Sequence, residues 1–261
     1  MTPMPDPMQP FRLDGRTALV TGSRREIGRA IALGFAAQGA RVAIHHAGTP
    51  EEHRDAADVM ATIAAAGAVG REFAADLAAD DGAKTLARDV LAAFGQVDIL
   101  VINASIELVE PWTEISRERF DRQIAVNLRS TLELFQALVP GMMQRGWGRV
   151  LTIGSVQQQL PHPGMFVYAG SKAMQHNFAV NLARQVAGAG VTVNNLAPGV
   201  IATARNREQL VENAERLKTR IPVGRIGRPE DLVGAALLLC SDAGSYINGA
   251  SVLVDGGRHI P

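Results

Sequence analysis

Short runs of β-branched and aliphatic residues alternate along this chain with longer alanine-rich stretches of helical period. That alternation restricts the fold more than any other feature. Residues 17–21, 41–45, 98–102, 149–153, 191–196 and 251–254 read as strands, with a weaker one near 71–75. Most are rich in Val, Ile and Leu and lack polar alternation, the pattern of strands covered on both faces. Residues 27–38, 51–66, 80–94, 116–145, 165–187 and 229–240 carry the helical pattern between them. A strand–helix–strand repeat of this kind predicts a parallel sheet with helices on both faces. Gly39, Gly67 and Gly95 follow three of the helices, where a left-handed residue readily ends a helix. No break in composition divides the chain, so residues 11–261 read as a single domain. Residues 1–10 hold four prolines and three methionines without periodicity, the pattern of a disordered arm. Residues 197–228, with Pro198, Gly199, Pro222 and Gly224, are the longest irregular stretch and read as a mobile lid carrying a polar helical patch near 208–218.

Composition removes several function classes. Twenty-six Lys and Arg balance 26 Asp and Glu, so the chain lacks the basic excess of a nucleic-acid binder. One cysteine, Cys240, excludes an internal disulfide framework and a multi-cysteine zinc site, and fits a reducing compartment. No apolar run reaches the roughly 18 residues of a membrane helix, and no basic-then-apolar leader opens the chain. A cytoplasmic protein with no membrane partner is therefore expected. The six histidines are scattered without the i, i+4 spacing of a helical metal pair, so no metal is expected.

The first strand runs into Thr21-Gly-Ser-Arg-Arg-Glu-Ile-Gly28 and then into a helix. Such a turn puts backbone N–H groups and the helix's positive end where a pyrophosphate can sit. The spacing differs from G-x-G-x-x-G, and a plain strand-to-helix turn is the competing reading. Tyr168 and Lys172 lie four apart in a helical segment and so share a face. A neighbouring ammonium lowers a tyrosine pKa from its reference of about 10, which makes the phenol usable as a general acid or base. Ser155, thirteen residues earlier at the end of a strand, can hold a carbonyl oxygen beside it.

Together these pieces resemble the short-chain dehydrogenase/reductase family from Leu13 onward. The 21–28 loop resembles TGxxxGxG at Gly22 and Gly28. Asp76-Leu77 resembles the pair that meets the adenine, and Asn103-Ala104-Ser105 the end of NNAG. Pro198-Gly199 with Thr203 resembles PGxxxT, which holds the nicotinamide carboxamide. Asn127, Ser155, Tyr168 and Lys172 fall on the four catalytic positions. The resemblance implies a doubly wound (Rossmann) parallel seven-stranded sheet. It further implies hydride transfer between a nicotinamide and a carbonyl carbon. Tyr168 would exchange the proton, Ser155 hold the oxygen, Lys172 tune Tyr168 and bind the ribose, and Asn127 hold a water linking Lys172 to solvent. Cofactor contacts are expected from Gly22, Ser23, Arg24, Arg25, Ile27, Gly28, His46, Asp76, Leu77, Asn103, Ala104 and Ser105. Tyr168, Lys172, Pro198, Gly199, Ile201 and Thr203 complete that set. Substrate contacts are expected from Ser155, Gln157 and Tyr168, with His162 a further candidate.

Two departures stand out. Glu26 replaces the loop's middle glycine, and Ile102 and Ser105 replace the first Asn and last Gly of NNAG. NADP is the expected cofactor, with NAD as the alternative. The second strand ends in His45-His46 with no acid before Glu51, so nothing there repels a 2′-phosphate. Arg24 and Arg25 against Glu26 predict about a tenfold preference. By resemblance the activity is that of a 3-oxoacyl-[acyl-carrier-protein] reductase on an acyl thioester, or else of a dehydrogenase of sugars or polyols. A redox sensor without turnover is the non-enzymatic alternative, suggested by Glu26 and opposed by the intact Ser155–Tyr168–Lys172 set. The lid's Arg205, Arg207, Arg216, Lys218 and Arg220 read as a solvated face, and Trp112, Trp147 and the Met142–Met143 pair as packing residues. Helices 116–145 and 165–187 match those that pair between subunits in the family, implying a homotetramer.

Overall fold

Burial on both faces turns the apolar runs into one parallel sheet of seven strands. The computed structural model of the chain describes residues 6–261, without the side chains of Arg205, Arg207, Glu208, Gln209, Val211 and Glu212. The strands are β1 (Thr17–Val20), β2 (Arg41–His46), β3 (Gly70–Ala74), β4 (Ile99–Ile102), β5 (Gly148–Ile153), β6 (Val191–Pro198) and β7 (Ser251–Val254). Their order is β3-β2-β1-β4-β5-β6-β7, with every ladder parallel. The chain reverses its direction of winding between β1 and β4, and ligands of such sheets bind beyond the strand ends at that switch.

The helices are α1 (Glu26–Ala37), α2 (Pro50–Ala65), α3 (Gly82–Phe94), α4 (Arg117–Ile124), α5 (Ser130–Arg145), α6 (Phe166–Val186), α7 (Arg207–Lys218) and α8 (Val233–Cys240). One core packs Leu86, Val90, Leu134, Leu138 and Ala179 of α3, α5 and α6 against one face of the sheet. The other packs Ile31, Phe35, Val59, Ile63 and Leu239 of α1, α2 and α8 against the opposite face. Gly39, Gly67 and Gly95 all take positive φ (96°, 73° and 81°), as terminators after α1, α2 and α3 should.

Most boundaries fall within one or two residues of the sequence reading, and three elements differ. The helix expected over 116–145 is interrupted by a π-helical turn at Ala125–Arg129, which carries Asn127. The helix expected from Pro229 begins as a 3-10 turn, Pro229–Leu232. Within the expected arm, residues 1–5 lie outside the described residues, whereas Gln9–Phe11 form a 3-10 turn leading to the buried Leu13. Two packing expectations also need correction. Trp112 is 69% exposed, because it sits on the loop after β4 and not on a covered face. Met142 is buried but Met143, one position round the helix, faces outward. Trp147 does pack, between the guanidinium groups of Arg16 and Arg149 at 3.7 and 4.3 Å from its ring centre. Among the described residues no helix is long and apolar enough to cross a membrane.

Candidate active site

The loop after β1 is built for close backbone approach. Gly22 has φ 62°, and a Cβ there would lie 3.0 Å from the Ala104 Cα. A Cβ on Gly28 would meet the Asn103 Nδ2 at 2.6 Å, so this position is closed to any side chain. Asn103 closes the loop from β4, its Nδ2 donating to the Thr21 and Gly22 carbonyls at 2.9 and 3.1 Å. His45 anchors it from β2. Its Nδ1 accepts the Gly22 N–H at 3.0 Å, so the ring proton sits on Nε2, which donates to the Ala75 carbonyl at 2.9 Å. Burial pushes the His45 pKa down to about 4, and the ring is neutral near pH 7. Ser23 turns inward, its Oγ donating to the Val20 carbonyl and accepting the His45 N–H. Its hydroxyl is thus taken up by the backbone of β1 and β2, away from the residues that line the cavity.

Glu26 occupies the left-handed region at φ 54°, the one non-glycine residue among those described to do so. Its Oε1 accepts the Ala204 N–H at 2.8 Å, tying the start of α1 to the segment after β6.

The catalytic candidates converge from β5, the π turn and α6. Ser155, just beyond β5, accepts the Gln157 N–H on its Oγ at 3.1 Å, which leaves its hydroxyl proton for another acceptor. Tyr168 and Lys172 are buried on α6, the Lys172 Nζ lying 5.7 Å from the Tyr168 ring centre. The Nζ donates to the Ile153 carbonyl at 2.7 Å and to the Gln175 Oε1 at 3.3 Å. Asn127 stands in the π turn, packed among protein partners. Its side chain clasps the Ile106 backbone, accepting the N–H at 2.8 Å and donating to the carbonyl at 2.9 Å. Its own carbonyl accepts from the Thr131 Oγ1 at 3.0 Å and the Gln175 Nε2 at 3.1 Å. Thr131 and Gln175 thus both bond to the Asn127 carbonyl from the protein side.

These parts share a cavity of about 540 Å³ at the carboxyl ends of the strands. Gly22, Arg24, Arg25, Ile27 and Gly28 line it, as do His46, Asp76, Leu77, Asn103, Ala104 and Ser105. The other end is lined by Ser155, Gln157, Tyr168, Lys172, Pro198, Gly199, Ile201 and Thr203. Of the expected site residues only Ser23 and Asn127 stand off the wall. His162 reaches the wall as well. The Gln157 Oε1 is buried there with no hydrogen-bond partner among the described residues. Sequence reasoning missed Glu52, Glu107, Arg122 and Arg258, all on the wall. Arg258 is carried by a C-terminal turn whose Gly257 and His259 N–H groups bond to the Asp255 carboxylate.

At the adenosine end the charges are paired otherwise than expected. The Arg24 guanidinium sits 3.2 Å from Glu52 and in close contact with Asp55, both on α2. Its charge is shared between two carboxylates, so the sum of two arginines against one glutamate does not hold. Burial alone would raise the Glu52 pKa, but the Thr49 N–H and Arg24 outweigh it and the group is shifted down. Arg25 remains exposed on the wall. Near it, His46 Nε2, His53 Nδ1 and Glu72 Oε1 lie within 4.8 Å of one another. The His46 Nδ1 accepts the Gly48 N–H at 3.1 Å, so its proton sits on Nε2, where a metal would need a lone pair. Glu72 instead pairs with His53 at 2.8 Å. Arg216 and Arg220 on the lid are exposed; the Arg205 and Arg207 side chains lie outside the described residues.

The glycine cradles, the loop N–H groups and the α1 N-terminus fit a dinucleotide, with the Glu26 carboxylate the one poorly matched group. Comparison with known proteins points the same way. A family model described as enoyl-(acyl carrier protein) reductase matches residues 22–259. L-rhamnose 1-dehydrogenase (NAD(P)(+)) of Azotobacter vinelandii is 36% identical over 248 residues, covering 94% of this chain and 97% of that protein. The 3-oxoacyl-[acyl-carrier-protein] reductase of Escherichia coli is 35% identical over 250 residues, covering 96% and 100%. The crystal structure of a 3-oxoacyl (acyl-carrier-protein) reductase from Agrobacterium tumefaciens C58 with NADP bound superposes with a TM-score of 0.89 at 40% identity. It covers 96% of this chain and 97% of that one.

Proposed function

Since the chain belongs to the short-chain dehydrogenase/reductase family, and is an NAD(P)-dependent oxidoreductase of it, we propose that it uses NADP(H) to interconvert a ketone and a secondary alcohol. The substrate put first is a 3-oxoacyl chain borne by acyl carrier protein. The observation that carries the reading is the meeting of Ser155, Tyr168 and Lys172 in the same cavity as the glycine cradle. Gly22, Gly28 and the α1 N-terminus would hold the pyrophosphate, Arg25 the 2′-phosphate, and Lys172 with Pro198, Gly199 and Thr203 the nicotinamide end. Bound there, the cofactor supplies the hydride.

The chain's own residues supply position and the proton. In reduction the Tyr168 hydroxyl donates to the carbonyl oxygen, and in oxidation its phenolate accepts. Ser155, whose Oγ already accepts from Gln157, donates its hydroxyl proton to the same oxygen and stabilises the charge developing there. The Lys172 ammonium favours the phenolate form. Following NADPH absorbance with acetoacetyl-coenzyme A, a panel of keto sugar acids and, in reverse, L-rhamnose tests the activity. Tyr168→Phe should fold and bind NADPH within a few-fold of the parent, and lose at least about a hundredfold in turnover. Substantial activity in that variant refutes the assignment.

A sugar or polyol substrate is the second reading. The buried, unpartnered Gln157 Oε1 on the wall favours it, because a substrate hydroxyl would satisfy that acceptor. We further propose a cytoplasmic homotetramer. Leu132 and Met143 of α5 and Phe166, Met174 and Val180 of α6 are exposed apolar side chains on the two helices expected to pair. A monomeric mass by light scattering at micromolar concentration counts against the assembly.

A further inference from the structure

Lys172 is 1% exposed, so its ammonium needs fixed acceptors in place of water. The Ile153 carbonyl and the Gln175 Oε1 both serve, the first from the backbone and the second from a side chain. We propose that Gln175 is a positioning residue. It holds the Lys172 ammonium and ties it to the Asn127 carbonyl and the Thr131 hydroxyl. The inference rests on the roles given above to Tyr168 and Lys172.

Gln175 follows Lys172 by three positions on α6, so the two side chains share a face. It is wholly buried. Its Oε1 accepts from the Lys172 Nζ at 3.3 Å, and its Nε2 donates to the Asn127 carbonyl at 3.1 Å and the Thr131 Oγ1 at 3.0 Å. The partners fix the amide's orientation. An ammonium can only donate and a carbonyl can only accept, so a flipped amide would set N–H against N–H at one end and oxygen against oxygen at the other. Thr131 donates to the same Asn127 carbonyl, which completes the closure.

Two consequences follow. The Nζ is held from the protein side by the Ile153 carbonyl and by Gln175, which aims its remaining N–H toward the cavity and Tyr168. The same amide ties Lys172 to the π turn and to α5, through the Asn127 carbonyl and the Thr131 hydroxyl.

Two substitutions separate this role from packing. Gln175→Met keeps the volume and removes every polar contact. With NADPH and acetoacetyl-coenzyme A its kcat should fall about tenfold, while KM and the NADPH dissociation constant stay within about twofold. Gln175→Ala leaves a space edged by the Lys172 Nζ, the Asn127 carbonyl and the Thr131 Oγ1, three partners for one water. It should melt lower than the Met variant and yet keep more kcat. If Gln175 serves packing alone, Met outranks Ala in both measurements.

A readout without substrate covers the case of an inactive parent. The chain has two tyrosines, and Tyr246 is fully exposed. In a Tyr246→Phe background, ultraviolet titration reads Tyr168 alone. Gln175→Met should raise its midpoint by about one unit, because a displaced ammonium stabilises the phenolate less. An unchanged midpoint, a Met variant with parental kcat, or a kcat order that follows melting each overturns the inference. Parental inactivity with every probe, or an active Tyr168→Phe variant, instead overturns the reading on which it rests.

Discussion

Replacing Glu26 should tighten NADP(H) binding. Two separable effects act at this residue, and the structure gives a handle on each. The backbone stands at φ 54°, where a side-chain-bearing residue costs about 1–2 kcal/mol relative to the ordinary helical region. Glycine relieves that cost but returns about 0.5–1 kcal/mol of chain entropy to the unfolded state. Glu26→Gly should thus gain about 0.5 kcal/mol of stability, a rise of roughly 1 °C in Tm for a chain of this size. The carboxylate is the second effect. It lies in the loop that receives phosphates, and removing one charge near a solvent-exposed anion is worth about 1 kcal/mol, or roughly fivefold in affinity. The lost hydrogen bond to the exposed Ala204 N–H is replaced by water at little cost.

Calorimetric titration with NADPH on the parent, Glu26→Gln and Glu26→Gly separates the two. Glu26→Gln removes the charge and keeps the strained backbone, so it should capture the whole gain in affinity and none of the gain in stability. The gain should shrink as salt is raised, since the charges involved are exposed. Weaker NADPH binding by Glu26→Gln at low salt would refute this reasoning. It would mean that the tie between Glu26 and the lid assists cofactor binding by holding the lid closed.

Arg25→Ala should weaken NADPH about tenfold and leave NADH within twofold, because Arg24 is already engaged by Glu52 and Asp55. An equal loss for both cofactors in parallel titrations would place Arg25 on the pyrophosphate instead. His45, with its pKa lowered to about 4, makes stability depend on pH. Between about pH 6.5 and 4 the unfolded chain binds a proton that the folded chain refuses, so this contribution is complete above 6.5 and declines as pH falls through that window. The loss should total about 3 kcal/mol, read from urea unfolding at a series of pH values. In His45→Asn that part of the slope should vanish, and a slope equal to the parent's would refute the assignment.

The sheet was legible because its central strands are buried on both faces and must be apolar while their crossovers must be amphipathic, whereas the largely exposed β3, Gly-Arg-Glu-Phe-Ala, leaves only a weak signal. The catalytic set was legible because its spacing is local: Tyr168 and Lys172 lie four apart on one helix, and Ser155 ends the strand before it. What escaped the sequence depends on partners brought from far along the chain. Nothing near Arg24 shows that Glu52 and Asp55 of the next helix take up its charge. Nothing near Ser23 shows that its hydroxyl is needed by the backbone of β1 and β2. Nothing near Asn127 shows that Thr131 and Gln175, one on the next helix and one 48 residues on, both bond to its carbonyl. Gln175 did leave a trace, the i, i+3 spacing from Lys172, but a glutamine on a helix gives no hint of burial.

The two ends of the cavity are accordingly governed by different physics. At the catalytic end Lys172, Gln175, Asn127 and Thr131 are buried and satisfy one another, so moving one leaves another unpaired in a medium of low dielectric. A single substitution there should cost far more than the one bond it removes. At the other end Arg25 is exposed and the Glu26 bond to Ala204 lies at the surface, where a charge interaction is worth about 1 kcal/mol or less and salt screens it. Substitutions there should add nearly independently. Cofactor preference can therefore be moved by steps at Arg25 and Glu26 while Tyr168 keeps its setting. A double variant at those two positions should show changes in binding free energy equal to the sum of the single changes within about 0.5 kcal/mol, whereas pairing Gln175→Met with Thr131→Val should depart from the sum by more than that.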